Sequence, residues 1–175
     1  MIFQESKLKG VFEVRLEPHC DERGWFARSW CEDEFRQHGL NPRLLQCNVS
    51  FNSHKGTLRG IHYQAEPHPE AKLVRCTRGS IFDVAIDLRP ESPTFKQWFG
   101  TTLSASNRQM LYVPEGCAHG FLTLESDTEV FYQMSEAYYP GLGTGVRWDD
   151  PAFGVSWPAA VEVISDRDRT YPDFH

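Results

Sequence analysis

The sequence predicts an all-β fold, in the form of an antiparallel sandwich or barrel. Eight strand-like runs follow one another at short intervals, and each is bounded by Gly, Pro, Asn or Ser. Short strands separated by turn residues are typical of such folds. The alternation of strands and helices that marks a parallel sheet is missing, as is any internal repeat. The length of 175 residues predicts a single domain over residues 1–175.

The predicted elements follow directly from the composition of each run. In chain order the strand-like runs are GVFEVRLEP, RLLQCNVSF, TLRGIHYQ, KLVRCTRGSIFDVAIDLRP, FKQWFGTTLS, QMLYVPEG, HGFLTLES and TEVFYQMSEAYYP. One short helix is predicted over residues 29–38. There Ser29 can cap the N-terminus, acidic residues follow it, and Gly39 can end the helix.

Residues 81–88 alternate between an apolar face and a face that carries two carboxylates. The apolar face comprises Phe82, Val84, Ile86 and Leu88. The other face has Asp83 and Asp87 between Ile81 and Ala85, so it is either solvated or lines a cavity. The solvated interpretation is favoured for Asp87, which precedes the turn LRPESP, and both interpretations stay open for Asp83.

Composition and charge exclude several classes of protein. With 40% hydrophobic and 24% charged residues, the chain resembles an ordinary globular protein, and its net charge of −6 argues against binding to nucleic acid. No stretch approaches the ~20 apolar residues of a membrane span. The N-terminus lacks a secretory signal, which predicts a cytoplasmic protein without membrane partners. Five cysteines without paired spacing predict small buried thiols rather than disulfides or a zinc site.

Four segments carry unusual polar residues among strand-like surroundings: DERGWF, LRGIHYQ, AKLVRC and VPEGCAHGF. They supply Arg23, Arg59, His62, Lys72 and His119. A lone histidine on a strand is usually a satisfied core group. Two histidines and a lysine, each flanked by apolar residues and glycines, indicate a functional site instead.

Arg59 and His62 are three residues apart, so an ideal strand would direct them to opposite faces. Gly60 lies between them, and a glycine bulge could bring both side chains onto one face. The alternative is that Arg59 faces solvent and only His62 points inward.

Six motifs, in order, carry a resemblance to a known family: DERGWF, LRGIHYQ, KLVR, FDVAIDLRPESPT, PEGCAHGF and WDDP. In order and spacing the chain resembles the dTDP-4-dehydrorhamnose 3,5-epimerase family from about residue 13 to residue 168. The resemblance implies a metal-free, cupin-like double-stranded β-helix jelly roll with short peripheral helices and no cofactor. It also implies a homodimer that inverts carbons beside the ketone of a nucleotide-linked 4-keto-6-deoxy sugar.

The resemblance also implies roles for individual residues. His62 matches the base, and Asp168 matches the aspartate that fixes the His62 tautomer. Tyr132 matches the acid on the opposite face of the sugar, and Lys72 matches the cation near the C4 oxygen. The implied substrate-binding residues are Arg23, Phe26, Gln46, Asn48, Arg59, His119, Tyr138 and Arg167. Such a division suits an inversion, which needs a base, a cation beside the developing oxyanion and a separate acid.

Five positions depart from the family pattern. Cys47 stands in place of an aspartate, Arg28 and Gly143 replace glutamates, and Arg167 and Gln133 replace lysines. The predicted base and acid are kept, while the departures leave open the nucleotide, the sugar, and whether C3, C5 or both are inverted.

Three rival functions remain. A metal-dependent cupin usually has a paired H-x-H, but Tyr63 and Gln64 follow His62 here. A nucleotide-sugar 3,4-ketoisomerase shares the fold and related proton transfers. A carbohydrate-binding jelly roll would be favoured only if His62 and Tyr132 did not face one cavity.

Overall fold

The computed structural model describes residues 1–175, which form fourteen strands and two short helices. The elements are β1 (Ile2–Glu5), β2 (Phe12–Arg15), β3 (His19–Asp21), β4 (Gly24–Phe26), α1 (Glu32–Gln37), β5 (Gln46–Asn52), β6 (Thr57–Gln64), β7 (Lys72–Arg78), β8 (Ser80–Asp87), β9 (Trp98–Ser104), β10 (Met110–Val113), β11 (Cys117–Thr123), β12 (Thr128–Met134), β13 (Gly143–Gly145), β14 (Val163–Ile164) and α2 (Asp166–Arg169).

The strands form two facing sheets and one separate hairpin. The first sheet has the order β1-β2-β10-β7-β12-β5, and the second has the order β13-β6-β11-β8-β9, with β14 added beside β6. The hairpin consists of β3 and β4. From β5 to β12 the chain passes repeatedly between the two sheets, which is the connectivity of a cupin-like jelly roll. The predicted all-β fold is therefore confirmed.

All eight predicted runs contain strands, and the longest run contains two. That run divides at Gly79, where the chain leaves β7 in the first sheet and enters β8 in the second. The strands that sequence patterning did not predict are β1, β3, β4, β13 and β14, which are two to four residues long.

The main core fills the space between the two sheets. It comprises Leu8, Val11, Val74, Cys76, Ile81, Ala85, Leu103, Leu111, Val113, Cys117, Phe121 and Val130. Full burial of a side chain such as Phe121 contributes about 1.5–3 kcal/mol. Because the Tyr132 ring packs against this cluster, the core also fixes a side chain of the cavity described below. Two smaller apolar clusters lie around Phe35 of α1 and around Phe153 near the C-terminus.

The helix α1 begins later than predicted, so the assignment of Ser29 as its N-cap is wrong. The N-cap is Cys31, whose backbone is extended and whose side chain makes no capping hydrogen bond. Trp30 packs against Phe35 in the apolar cluster, which keeps the preceding residues outside the helix. Gly39 follows the helix with a φ of 70°, as its predicted role of ending the helix requires.

Asp87 is fully buried, and the prediction that it is solvated is wrong. The turn after β8 folds back over its carboxylate, which accepts hydrogen bonds from Arg89, Ser92 and Thr94. Burial alone would raise the pKa of Asp87, but these hydrogen bonds outweigh burial and lower it to about 2. The alternation of residues along the strand gave no sign that Asp87 is buried, because its hydrogen-bond partners come from a turn rather than a strand.

The five cysteines are all free, but only two of them are buried. Cys76 and Cys117 lie in the core, whereas Cys20 and Cys47 are exposed and Cys31 is half-buried. The prediction of buried thiols is therefore wrong for three positions, which lie on the hairpin, beside α1 and on the edge strand β5. No helix has the length and apolar character needed to cross a membrane.

A bulge in β6 turns Arg59 and His62 to the same side. Arg59 pairs with Phe121 and His62 pairs with His119, so three steps along β6 match two along β11. Gly60 and Ile61 therefore oppose the single residue Gly120, which is the geometry of a β-bulge. Gly60 has a φ of 130°, and a Cβ built on it would lie 2.5 Å from the Gly120 Cα. Only glycine fits at this crossing, as the predicted glycine bulge requires.

Replacing Gly60 by Ala should lower the free energy of unfolding by ~3 kcal/mol, since it combines a strained φ with a collision against backbone. The matched control is Gly24→Ala, because Gly24 has a φ of 127° with nothing within 4 Å of a built Cβ. This control should cost only about 1 kcal/mol. Urea unfolding measures both values. Equal losses for the two variants would contradict the close approach of Gly60 to Gly120.

Candidate active site

A cavity of about 760 Å³ opens between the two sheets, next to the main core. Its size suits a ligand larger than a simple sugar. The first sheet contributes Asn48, Val49, Ser50, Lys72, Tyr132 and Met134 to its wall. The second sheet contributes Thr57, Leu58, Arg59, His62, Tyr63, Gln64, His119, Phe121, Gly143, Thr144, Val163 and Ile164. The wall is completed by Glu70, Tyr138, Ser165, Arg167 and Asp168.

His62 and Asp168 form a hydrogen-bonded pair at the wall of this cavity. The distance from His62 Nε2 to Asp168 Oδ1 is 2.6 Å, and the second Asp168 oxygen accepts the Gly60 N–H at 3.1 Å. Burial alone would raise the pKa of Asp168, but the hydrogen bonds from His62 and Gly60 lower it. A carboxylate accepts, so His62 Nε2 carries a proton and, in the neutral ring, Nδ1 is the free proton acceptor.

The helix α2 holds Asp168 in place. The Ser165 side chain caps the helix by accepting the Asp168 N–H at 3.1 Å. Arg167 fastens the same helix to β13, because its guanidinium donates to the Gly143 carbonyl at 2.8 Å and to the Tyr171 hydroxyl at 2.9 Å. Since β13 pairs with β6, this helix is attached to the strand that carries His62.

Tyr132 lies on the facing sheet, with its hydroxyl 3.0 Å from Ser50 Oγ. Its ring is near His119 and Phe121, with centroid distances of 6.3 and 6.4 Å. Burial raises the pKa of Tyr132 well above its usual value, so the phenol keeps its proton at neutral pH. Tyr132 and His62 therefore line the cavity from opposite sheets as a protonated phenol and a histidine with a free ring nitrogen.

A second His–Asp pair lies beside the first. His119 Nε2 is 2.8 Å from Asp83 Oδ1, and both side chains are buried. Burial raises the pKa of Asp83. The nearby His119 and Lys72 act in the opposite direction but do not cancel this rise. Of the two possibilities left open for Asp83, solvation is ruled out: its carboxylate sits behind His119, which itself lines the cavity.

Two further basic residues point into the cavity. Lys72 Nζ lies 2.9 Å from Glu70 Oε1 and 3.4 Å from the His62 carbonyl oxygen. Arg59 Nε donates to Asn52 Oδ1 at 2.7 Å, which fixes the direction of its guanidinium. Together with Arg167, these side chains give the cavity of a net-acidic protein a basic lining. Such a lining suits an anionic ligand.

The cavity gathers most, but not all, of the residues that the sequence singled out. Those in its wall are Asn48, Arg59, His62, Lys72, His119, Tyr132, Tyr138, Arg167 and Asp168. Gln46 is outside the wall, where its side chain accepts the Tyr138 N–H. Arg23 and Phe26 lie on the exposed β3–β4 hairpin, and Phe26 is 75% exposed. Within one chain, these two residues do not reach the cavity.

The polar wall residues that were not predicted include Ser50 and Glu70, which contact Tyr132 and Lys72. Ser50 follows Gln46 and Asn48 at spacings of two along β5, so the polar alternation of this strand was an available signal. Glu70 stands two residues before Lys72 and faces the same side. Charge pairing at that spacing was visible in the sequence, but nothing there distinguished it from a solvated pair.

Two of the five departures from the family pattern lie in the cavity wall, and three lie outside it. Gly143 and Arg167 line the cavity and are hydrogen-bonded to each other. Cys47 and Gln133 lie opposite each other on β5 and β12, outside the wall, and Arg28 pairs with Glu34 of α1. No group of three His, Cys, Asp or Glu side chains converges in the arrangement of a metal site.

Comparison with known proteins identifies the family of this chain. The family model described as dTDP-4-dehydrorhamnose 3,5-epimerase matches residues 5–175. The epimerase of that name from Sinorhizobium fredii is 42% identical over 173 residues, which are 98% of this chain and 89% of the relative.

Solved structures agree with the sequence matches. The crystal structure of dTDP-4-dehydrorhamnose 3,5-epimerase from Elizabethkingia anophelis superposes with a TM-score of 0.96 at 35% identity, over 99% of this chain and 96% of that one. The Bacillus anthracis enzyme of the same name, with TDP and PPi bound, gives 0.93 at 38% identity over 99% of both chains. The chain therefore belongs to the dTDP-4-dehydrorhamnose 3,5-epimerase family of carbohydrate epimerases.

Proposed function

We propose that this chain inverts C3 and C5 of a dTDP-linked 4-keto-6-deoxyhexose by proton removal on one face of the sugar and proton return on the other. The observation that carries the proposal is the pair His62–Asp168 on one sheet and the protonated Tyr132 on the facing sheet, across one cavity. Membership in the epimerase family supports the reaction class. The TDP bound to the Bacillus anthracis relative supports the nucleotide.

His62 is the base in this proposal. A hydrogen next to a ketone is acidic, because its removal leaves an enolate, and a histidine is suited to accept it near neutral pH. The Asp168 carboxylate holds the proton on Nε2 and leaves Nδ1 to take the substrate proton. It also stabilises the imidazolium that results.

Lys72 and Tyr132 complete the proton transfers. The enolate oxygen at C4 develops negative charge, and the Lys72 ammonium in the cavity stabilises that charge. Tyr132 donates its hydroxyl proton from the facing sheet, so the carbon is protonated on the face opposite His62. Ser50 accepts or donates at the Tyr132 hydroxyl and orients it. The same arrangement serves C3 and C5, because both carbons are adjacent to the C4 ketone and both enolates place their negative charge on its oxygen.

The remaining cavity residues bind the nucleotide diphosphate and the sugar. Arg59 and Arg167 supply guanidinium groups that match phosphate oxygens, and His119 and Asn48 supply polar contacts. Tyr138 is 59% exposed at the cavity rim, where an aromatic face can stack on a planar ring. Gln46 holds the backbone of Tyr138 through the hydrogen bond described above.

A homodimer is the second part of the proposal, since Arg23 and Phe26 need a second copy to reach a cavity. The strand β5 is an edge of the first sheet and lines the cavity, and Leu45, Val49 and Phe51 expose apolar surface along it. Exposed edges and apolar patches of this kind are usually covered by a partner. A partner hairpin that docks on this edge would bring its Arg23 and Phe26 to the cavity. The cytoplasmic location and the absence of a cofactor stay predictions.

Replacing Tyr132 by Phe should separate proton removal from inversion. The variant keeps the ring and its packing but loses the hydroxyl, so in D₂O it should still exchange substrate hydrogen at C3 and C5 while forming little epimer. The matched control is His62→Ala, which should lower both exchange and epimer by roughly 10²–10⁴-fold. Nuclear magnetic resonance follows both quantities in one sample. Full inversion by the Tyr132→Phe variant would remove Tyr132 from the mechanism, and exchange at one carbon alone would favour a single-centre epimerase.

Mixing two inactive variants should restore activity if the partner completes the site. Phe26→Ala lacks the hairpin contact and Tyr132→Phe lacks the acid, but a mixed dimer contains one site with both. Random mixing gives up to about a quarter of the parental activity.

Sedimentation should show the parent at twice the chain mass of 20.1 kDa. A monomer at micromolar concentration, or no recovery on mixing, would contradict the shared site.

A further inference from the structure

Glu70 is a carboxylate in the cavity wall to which the mechanism above gives no role. Its Oε1 lies 2.9 Å from Lys72 Nζ, and each of the two side chains is only 12% exposed. A surface ion pair of this type would contribute little. This pair is instead largely shielded from water and includes the lysine proposed to stabilise the enolate.

The local backbone fixes Glu70 rigidly. Glu70 is two residues before Lys72, so both side chains leave the chain on the same side. Ala71 between them is fully paired with Ser135: the Ala71 N–H donates to Ser135 Oγ at 2.8 Å, and the Ser135 N–H donates to the Ala71 carbonyl at 3.0 Å. The segment that carries the carboxylate is therefore tied to the residue that follows β12, next to the start of β7.

The contacts of Lys72 set its direction. An ammonium has three N–H donors. One donates to the His62 carbonyl oxygen at 3.4 Å, and Glu70 Oε1 lies 2.9 Å from Nζ as its ion-pair partner. These two contacts hold the Lys72 ammonium at the cavity wall.

Glu70 also balances the charge around Lys72. The ionisable groups around Lys72 include His62, His119 and Tyr132 in the same cavity wall, and Asp83 behind His119. Asp83 is hydrogen-bonded to His119, so Glu70 is the carboxylate in direct contact with Lys72 Nζ. When His62 takes the substrate proton it becomes a second cation near Lys72. A carboxylate beside Lys72 offsets the additional positive charge at that step.

We propose that Glu70 is a positioning residue for the epimerisation, because it holds the Lys72 ammonium at the cavity wall and balances its charge in the shielded cavity. This inference rests on the proposed function, in which Lys72 stabilises the enolate.

Replacing Glu70 by Gln tests the charge at nearly constant shape. The turnover number kcat should fall about 10-fold with KM changed less than about 3-fold, since the loss falls on the transition state. Glu70→Asp keeps the charge and should retain most of the parental kcat. The matched control is Glu66→Gln, an exposed glutamate in the same loop.

A second readout does not depend on catalysis. Crystal structures should show Lys72 Nζ against the carboxylate at the cavity wall in the parent and in Glu66→Gln, and displaced from that place in Glu70→Gln. An unmoved Lys72 together with an unchanged kcat in Glu70→Gln would overturn the role of Glu70. A parent without epimerase activity would instead overturn the proposed function, while the structures still decide whether Glu70 positions Lys72.

Discussion

The contact between Gly60 and Gly120 is the constraint on which the arrangement of the cavity depends. Two backbones approach so closely there that a Cβ on Gly60 would meet the Gly120 Cα at 2.5 Å. The resulting bulge gives β6 one additional residue, so Arg59 and His62 both face the cavity. The Gly60 N–H also donates to Asp168. One glycine thus sets the direction of the proposed base and supports the carboxylate that orients it.

The two sheets divide the proposed chemistry between them. His62 and His119 come from the second sheet, while Lys72 and Tyr132 come from the first. A substrate held between the sheets has a proton acceptor on one side and a proton donor on the other, which is what inversion requires. The packed core beneath the cavity keeps this separation fixed, since Tyr132 rests on the same apolar cluster that joins the sheets.

The distribution of charge over the chain also supports a cavity that binds and converts an anionic substrate. The chain carries a net charge of −6, yet lysine, arginine and histidine side chains line the cavity. Carboxylates occur there as partners of these bases: Asp168 with His62, Asp83 with His119 and Glu70 with Lys72. Each pair orients a basic group without removing it from the cavity, so a dianionic nucleotide meets preorganised donors.

Much of the strand arrangement could be predicted from the sequence, because strand alternation and turn residues are local signals. The run TLRGIHYQ matched β6 in full, and its glycine indicated the bulge. Features that depend on side-chain contacts outside strand alternation could not be predicted from pattern. Asp87 is buried by the turn that follows it, and α1 starts late because Trp30 packs against Phe35 in an apolar cluster. Asp168 lies on a four-residue helix near the C-terminus, and only the family resemblance indicated it.

The protonation state of the His62 ring tests the account most directly, because both the base and its orientation depend on it. Nitrogen-15 magnetic resonance of the histidine-labelled protein distinguishes the two tautomers when it is recorded at a pH at which the ring is neutral. The hydrogen bond to Asp168 predicts a protonated Nε2 and a bare Nδ1, and the Asp168→Ala variant should lose this preference. A His62 ring protonated on Nδ1 in the parent protein would contradict the account.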